Sequence, residues 1–124
     1  MKTLTAILCA SVLYAMTMTA TAAGKVEHVV CLKFKGTATA QEIKKVETAF
    51  QALQKKIPHV MTLEWGTNVS KEQRDKGFTH CFILSFKNEK DRDAYLEHPE
   101  HKGFVGLAGP VLDDVLVIDF WAKR

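Results

Sequence analysis

The chain has 124 residues, 47% hydrophobic, 25% charged and 9% aromatic, with a formal charge of +3. That length suits one domain and excludes a multidomain enzyme with its own cofactor module. The mix of charged and apolar residues excludes a disordered, collagen-like or disulfide-dense chain, and so small a surplus of positive charge does not imply a polyanionic partner.

The N-terminus reads as a targeting segment. Lys2, the mostly apolar stretch Leu4 to Met18 and the small residues Ala20-Thr21-Ala22 have the order of a secretory signal peptide. The stretch is too short and too rich in Thr to span a membrane, and Ala6-Ile7-Leu8 before Cys9 lacks the small residue of a lipoprotein signal. The expectation is a signal peptide over residues 1–22, one domain over 23–124, a secreted or periplasmic destination, and no membrane contact after cleavage. Export leads to an oxidising compartment, where Cys31 and Cys81 could pair. Two cysteines cannot make a disulfide framework, and they read as small buried hydrophobes ahead of a disulfide or a redox centre. Asn68-Val69-Ser70 matches a glycosylation sequon, which matters only in a eukaryotic host.

Val26 to Phe34 is β-rich and ends at Gly36-Thr37. Thr39 followed by Glu42 has capping-box spacing and predicts a helix start. Ile43, Val46, Phe50, Leu53 and Ile57 then recur at helical spacing, with Lys44, Lys45, Glu47, Gln51 and Lys55 on the wet side, until Pro58 stops the helix. Val60 to Trp65 predicts a second strand, Ser70 to Gly77 a charged loop, and Thr79 to Phe86 a third strand. Asn88, with Asp91 three residues on, opens a short helix running to about Leu96. Pro99 can open one more helical turn, carrying Glu100, His101 and Phe104. Val115 to Trp121 is the last strand. The order β-α-β-β-α-β predicts a ferredoxin-like α+β domain with a four-stranded antiparallel sheet.

Side chains alternate faces along a strand. His28, Val30, Leu32 and Phe34 share one face of the first strand, and His80, Phe82, Leu84 and Phe86 share one face of the third. These bulkier, even-numbered faces belong under the helices. The odd faces are still too apolar for open water, and two helices cover only one side of a sheet. A second copy of the chain is the economical cover, so the expectation is a homodimer packed sheet to sheet.

Four polar side chains stand out on this scaffold: His28, His80, Tyr95 and His101. If both strand histidines lie near one end of the sheet, Tyr95 and His101 approach from the covering layer, and an apolar cavity with convergent polar tips results. A histidine on an apolar strand reads equally as a core residue bonded to a carbonyl. Imidazole accepts a proton at neutral pH, and a Tyr hydroxyl can donate to a carbonyl oxygen as charge develops. The pair suits proton abstraction next to a carbonyl with no cofactor. His98 and His101 lack a supporting ligand set, so no metal site is expected. There is no phosphate loop or nucleophile elbow, and the basic residues are not interleaved with aromatics, so no nucleic-acid partner is expected either.

VEHVVCLKFK, Ile57-Pro58, LEWGTNVS, KGFTHCFILSFKNEKDRDAYLEHPEHKGF and VLVIDF together resemble the stress-responsive dimeric α/β-barrel (Dabb) family. The resemblance runs from Val26 to Phe120 and is most specific at AYLEHPEH and GFTH. It implies a ferredoxin-like chain whose sheet closes against a second copy to form a dimeric α/β barrel. A plant member of the family closes a linear polyketide by aldol chemistry without a cofactor. By that resemblance His101 matches its catalytic base, Tyr95 the hydrogen-bonding partner of that base, and His28 and His80 its pocket histidines. The signal peptide departs from such a cyclase, whose coenzyme A-tethered substrate belongs to the cytosol. The leading expectation is an exported, stress-related homodimer binding a small, partly apolar molecule in a His/Tyr-lined pocket. Its rivals are a cofactor-independent lyase, cyclase or isomerase using His101 and Tyr95, a structural protein valued for its barrel, and a heme or metal binder.

Overall fold

A computed structural model describes residues 24–123. The expected signal peptide over residues 1–22 lies outside the described residues. Strand β1 spans Val26–Phe34, helix α1 Ala40–Lys56, β2 Thr62–Thr67, β3 His80–Phe86, helix α2 Glu89–Glu97, helix α3 Pro99–Ala108, a 3₁₀ turn Gly109–Val111, and β4 Leu112–Trp121. The four strands form one antiparallel sheet in the order β2-β3-β1-β4, the ferredoxin-like arrangement.

Local chemistry sets the helix ends. Thr39 accepts a hydrogen bond from the Glu42 amide at 3.1 Å, and its hydroxyl donates to the Glu42 carboxylate at 3.2 Å. Caps of this kind contribute about 1 kcal/mol. Asn88 likewise accepts from the Asp91 amide at 2.8 Å. His98 ends α2 and caps α3, its Nδ1 accepting from the Glu100 amide at 3.1 Å, with Pro99 in the first helical position. The expected single turn after Pro99 is in fact a ten-residue helix. Phe104 gives it a hold on the core, packing against Phe50 with ring centroids 4.7 Å apart.

Strand parity sorts β1 and β3 as expected. Val26, His28, Val30 and Leu32 are buried on β1, and His80, Phe82, Leu84 and Phe86 on β3. Phe50 of α1 stacks flat on Phe82, centroids 4.0 Å apart, and Val46, Leu53 and Ile57 complete the layer beneath the helix. Three strands differ in extent from the sequence reading, the third only in beginning at His80 and not at Thr79. The second begins at Thr62 and not at Val60, because the turn after Pro58 ties the Val60 amide to the Ile57 carbonyl at 3.2 Å. The last begins at Leu112, since the acidic pair Asp113-Asp114 is tolerated on an edge strand.

The apolar residues of β4 from Val115 to Trp121 are 44–53% exposed. Its pairing with β1 places Val115, Val117, Asp119 and Trp121 on the helix side, opposite Leu32, Val30, His28 and Val26. Leu116, Ile118 and Phe120 share the open side with Val29, Cys31, Cys81 and Ile83. The helices therefore roof β1 and β3 but stop short of β4.

Candidate functional site

The antiparallel sheet separates the two strand histidines. His28 lies opposite Leu84, and His80 lies opposite Leu32, four positions away along the same pair of strands. At about 3.4 Å per residue the offset is about 14 Å. The expectation of one cavity holding His28, His80, Tyr95 and His101 is thereby corrected: three residues gather, and the fourth stands at the other end.

At the first end, the ring of Tyr95 lies 5.8 Å from His28 and 4.7 Å from His101, centroid to centroid, with Phe86 5.2 Å away. His28 reaches this point from β1, Tyr95 from the last turn of α2 and His101 from the first turn of α3. The break at His98-Pro99 brings the two helix ends together over the sheet. His28 and Tyr95 are buried.

Hydrogen bonds set the ring nitrogens. His101 Nδ1–H donates to the Leu96 carbonyl at 3.0 Å, which leaves the lone pair of the neutral ring on Nε2. Burial holds the His101 ring below the ordinary imidazole value, and His28 acts in the same direction, while the Leu96 carbonyl and Glu97 oppose. At neutral pH His101 is therefore a proton acceptor. Burial pushes the Tyr95 hydroxyl well above the ordinary phenol range, so it remains an O–H donor. His28 Nδ1–H donates to Asp119 Oδ1 at 2.5 Å, and Arg92 donates to Asp119 Oδ2 at 2.8 Å. Asp119 and Arg92 escaped the sequence reading. The signal for Asp119 was one carboxylate in the otherwise apolar run VLVIDFW; its partner could be named only from the register of β4 on β1.

His101, Val105 and Ala108 fall at i, i+4 and i+7, one face of α3. Val105 and Ala108 line a hollow of about 240 Å³ together with Leu112, Asp113, Asp114 and Val115 of β4. Along the strand, Val117 and Asp119 continue from Val115 toward His28. Val115 pairs with Leu32, so this hollow opens toward the end of the sheet away from His28, and His28, Tyr95 and His101 are not among its walls.

At the second end, His80 Nε2–H donates to Glu47 Oε2 at 3.2 Å, and its Nδ1 is 2.8 Å from the Thr79 hydroxyl. Both nitrogens are engaged. The ring also stacks with Trp65 at 6.1 Å and meets Phe34 edge-on at 5.0 Å. Glu47, expected on the wet side of its helix, is drawn inward by this bond; it sits at i+4 from Ile43 and i−3 from Phe50, on the border of the apolar stripe. A recess of about 510 Å³ opens beside His80, on the outer face of the sheet, with Trp65, Cys31, Cys81 and Leu116 among its walls. His28, Tyr95 and His101 take no part in that recess. Among the described residues no three His, Cys, Asp or Glu side chains converge as a metal site.

Fold and cluster together define a ferredoxin-like domain carrying an imidazole–phenol group at the meeting of two helix ends. The chain belongs to the stress responsive A/B barrel domain family, Dabb, whose pattern it matches over residues 26–122. It is 32% identical over 99 residues to the stress-response A/B barrel domain-containing protein HS1 of Arabidopsis thaliana, covering 80% of this chain and 91% of that one. Olivetolic acid cyclase of Cannabis sativa is 25% identical over 99 residues, covering 80% and 98%. Among solved structures, the hydroxynitrile lyase of Passiflora edulis shares the fold with a TM-score of 0.77 at 22% identity, covering 82% and 95%. A protein from Jannaschia described as dimeric and ferredoxin-like gives 0.70 at 24% identity, covering 80% and 100%.

Proposed function

We propose that this chain is an exported, self-associating Dabb protein that binds a small, partly apolar carbonyl compound between α3 and β4, beside His28, Tyr95 and His101. The single observation that carries the reading is His101, its Nδ1–H committed to the Leu96 carbonyl and its ring against Tyr95. In this reading the apolar part of the ligand lies along Val105, Val115 and Val117, and its carbonyl end reaches the histidines. His101 Nε2 takes a proton from the carbon next to the carbonyl, and the Tyr95 hydroxyl donates to the carbonyl oxygen as the enolate forms. His28, aligned by Asp119, holds the polar end of the ligand. The proton then returns from His101 to carbon or to the oxygen of an aldol product. His80 lies outside the proposed site because both of its nitrogens are occupied within the fold.

A relative named as a cyclase, and a hydroxynitrile lyase of the same fold, support a catalytic use of this scaffold. Self-association through the outer sheet face is supported by the apolar residues Val29, Ile83, Leu116 and Ile118 on that side and by the dimeric description of similar structures. Light scattering at micromolar concentration should give twice the chain mass; the mass of one chain ends the dimer reading. For the site, a medium-chain ketone ester deuterated at the α-carbon serves as probe. Saturable loss of deuterium above the buffer rate, abolished in His101→Ala, is the expected result. Equal exchange by the wild type and His101→Ala overturns the assignment of the base.

A further inference from the structure

The helix side of β4 carries more open apolar surface than the histidine cluster uses. Val115 and Val117 project there with Asp119, opposite Leu32, Val30 and His28 of β1. Val115 is 45% exposed and Val117 50%, and Val105 of α3, at 51%, is equally bare. These side chains lie on the opposite side of the sheet from Val29, Ile83, Leu116 and Ile118, so a second copy seated on those residues does not occupy this strip.

The strip ends in the hollow of about 240 Å³. That volume is below the range of about 300–1,000 Å³ for a whole small-molecule ligand, and it suits one end of a longer one. Two spans give its distance from the proposed carbonyl position. From His101 to Ala108 the helix rises about 10 Å, and from Asp119 to Val115 the strand advances about 14 Å. An extended chain of about eight to ten carbons covers that distance. The far end also discriminates by charge. Asp113 and Asp114 belong to its walls, whereas Lys33, which meets Asp113 at 3.4 Å, and Lys35, held by the Pro110 carbonyl at 2.9 Å, do not. A tail ending in a carboxylate would lose water there and meet like charge.

We infer that the hollow between α3 and the start of β4 is a tail site, which selects an extended apolar chain of about eight to ten carbons ending in an uncharged group. The inference rests on the proposed function for one point, the carbonyl end beside His28 and His101, from which the chain is measured. A shorter tail leaves the hollow empty. Each carbon added up to the limit gains by covering Val117, Val115 and Val105. A tail longer than the span passes out of the hollow into water, where a further carbon gains nothing.

The test titrates the protein with straight-chain methyl ketones running from shorter than this span to longer, and reads affinity by calorimetry. The expected result is about a two- to fourfold gain per added carbon, ending once the tail reaches about eight to ten carbons beyond the carbonyl. Ala108→Leu puts a larger side chain into the hollow and should bring the plateau earlier; Val115→Phe should do the same if Ala108→Leu fails to fold. A tail of equal length ending in a carboxylate should bind about tenfold more weakly than the methyl-ended one. No measurable binding, affinity independent of length, a plateau unmoved in the folded variants, or equal binding of the carboxylate-ended tail overturns the inference. Deuterium exchange on the same ketones keeps the two readings apart. A length profile that persists while wild type and His101→Ala exchange equally supports the tail site and removes the base. A flat profile with exchange that depends on His101 removes the tail site and leaves the base.

Discussion

The two ends of the sheet place the same parts in opposite service. Each sets a histidine from an even, helix-facing strand position against a carboxylate and aromatic rings: His28 with Asp119, Tyr95 and Phe86, and His80 with Glu47, Trp65 and Phe34. At the His80 end both ring nitrogens are spent on Glu47 and Thr79, and the imidazole joins strand to helix. At the His28 end the ring bonds are directed outward from the cluster, to Asp119 and to the Leu96 carbonyl, and a second imidazole and a phenol stand alongside. A buried histidine becomes available for chemistry when its neighbours occupy one nitrogen and leave the other.

The largest expected difference between the ends is in activity. His101→Ala should lower probe turnover by about 100- to 10,000-fold, the usual worth of a positioned general base, while urea denaturation shows a stable fold. His80→Ala should leave turnover of the folded protein near wild type. The next effect is on stability and has the opposite placement. Glu47→Ala removes the acceptor of a buried histidine and should cost about 1–3 kcal/mol in denaturant unfolding, with turnover little changed. A loss of turnover comparable to that of His101→Ala would erase the distinction between the ends.

A smaller effect concerns pH. The His101 value is lowered in the folded protein, so the unfolded chain binds the extra proton first. The corresponding stability is fully present above the ordinary imidazole value of about 6.5 and is lost as pH falls below it toward the lower folded value. Thermal unfolding followed from pH 8 downward should show this acid-side loss, and His101→Gln should flatten it. Smallest is Arg92→Ala. Arg92 braces Asp119 from a partly exposed position, and its removal should cost under about 1 kcal/mol of stability. If Asp119 positions His28, the variant should raise the probe KM more than it lowers kcat; an unchanged KM would make Arg92 a surface ion pair only.

Much of this architecture was legible before any coordinates. Alternation in VEHVVCLKF and THCFILSF identifies the buried faces, because a half-buried strand must repeat every two residues. Thr39, Asn88 and Pro99 mark helix starts, because unpaired backbone amides need an acceptor or a residue without an N–H. The sequence also singles out His28, His80, Tyr95 and His101 as polar groups on apolar surroundings, and Cys31 and Cys81 as occupants of one sheet face.

Which of those groups meet is a matter of tertiary structure alone. Strand direction and register send His28 and His80 to opposite ends, bring Asp119 beside His28, and set Cys31 against Cys81. Periodicity reports the face on which a side chain lies; its height along the sheet depends on pairing between segments far apart in the chain. Glu47 shows the same limit in a helix, where the spacing reads it on the wet side and only the arrival of His80 from β3 turns it inward.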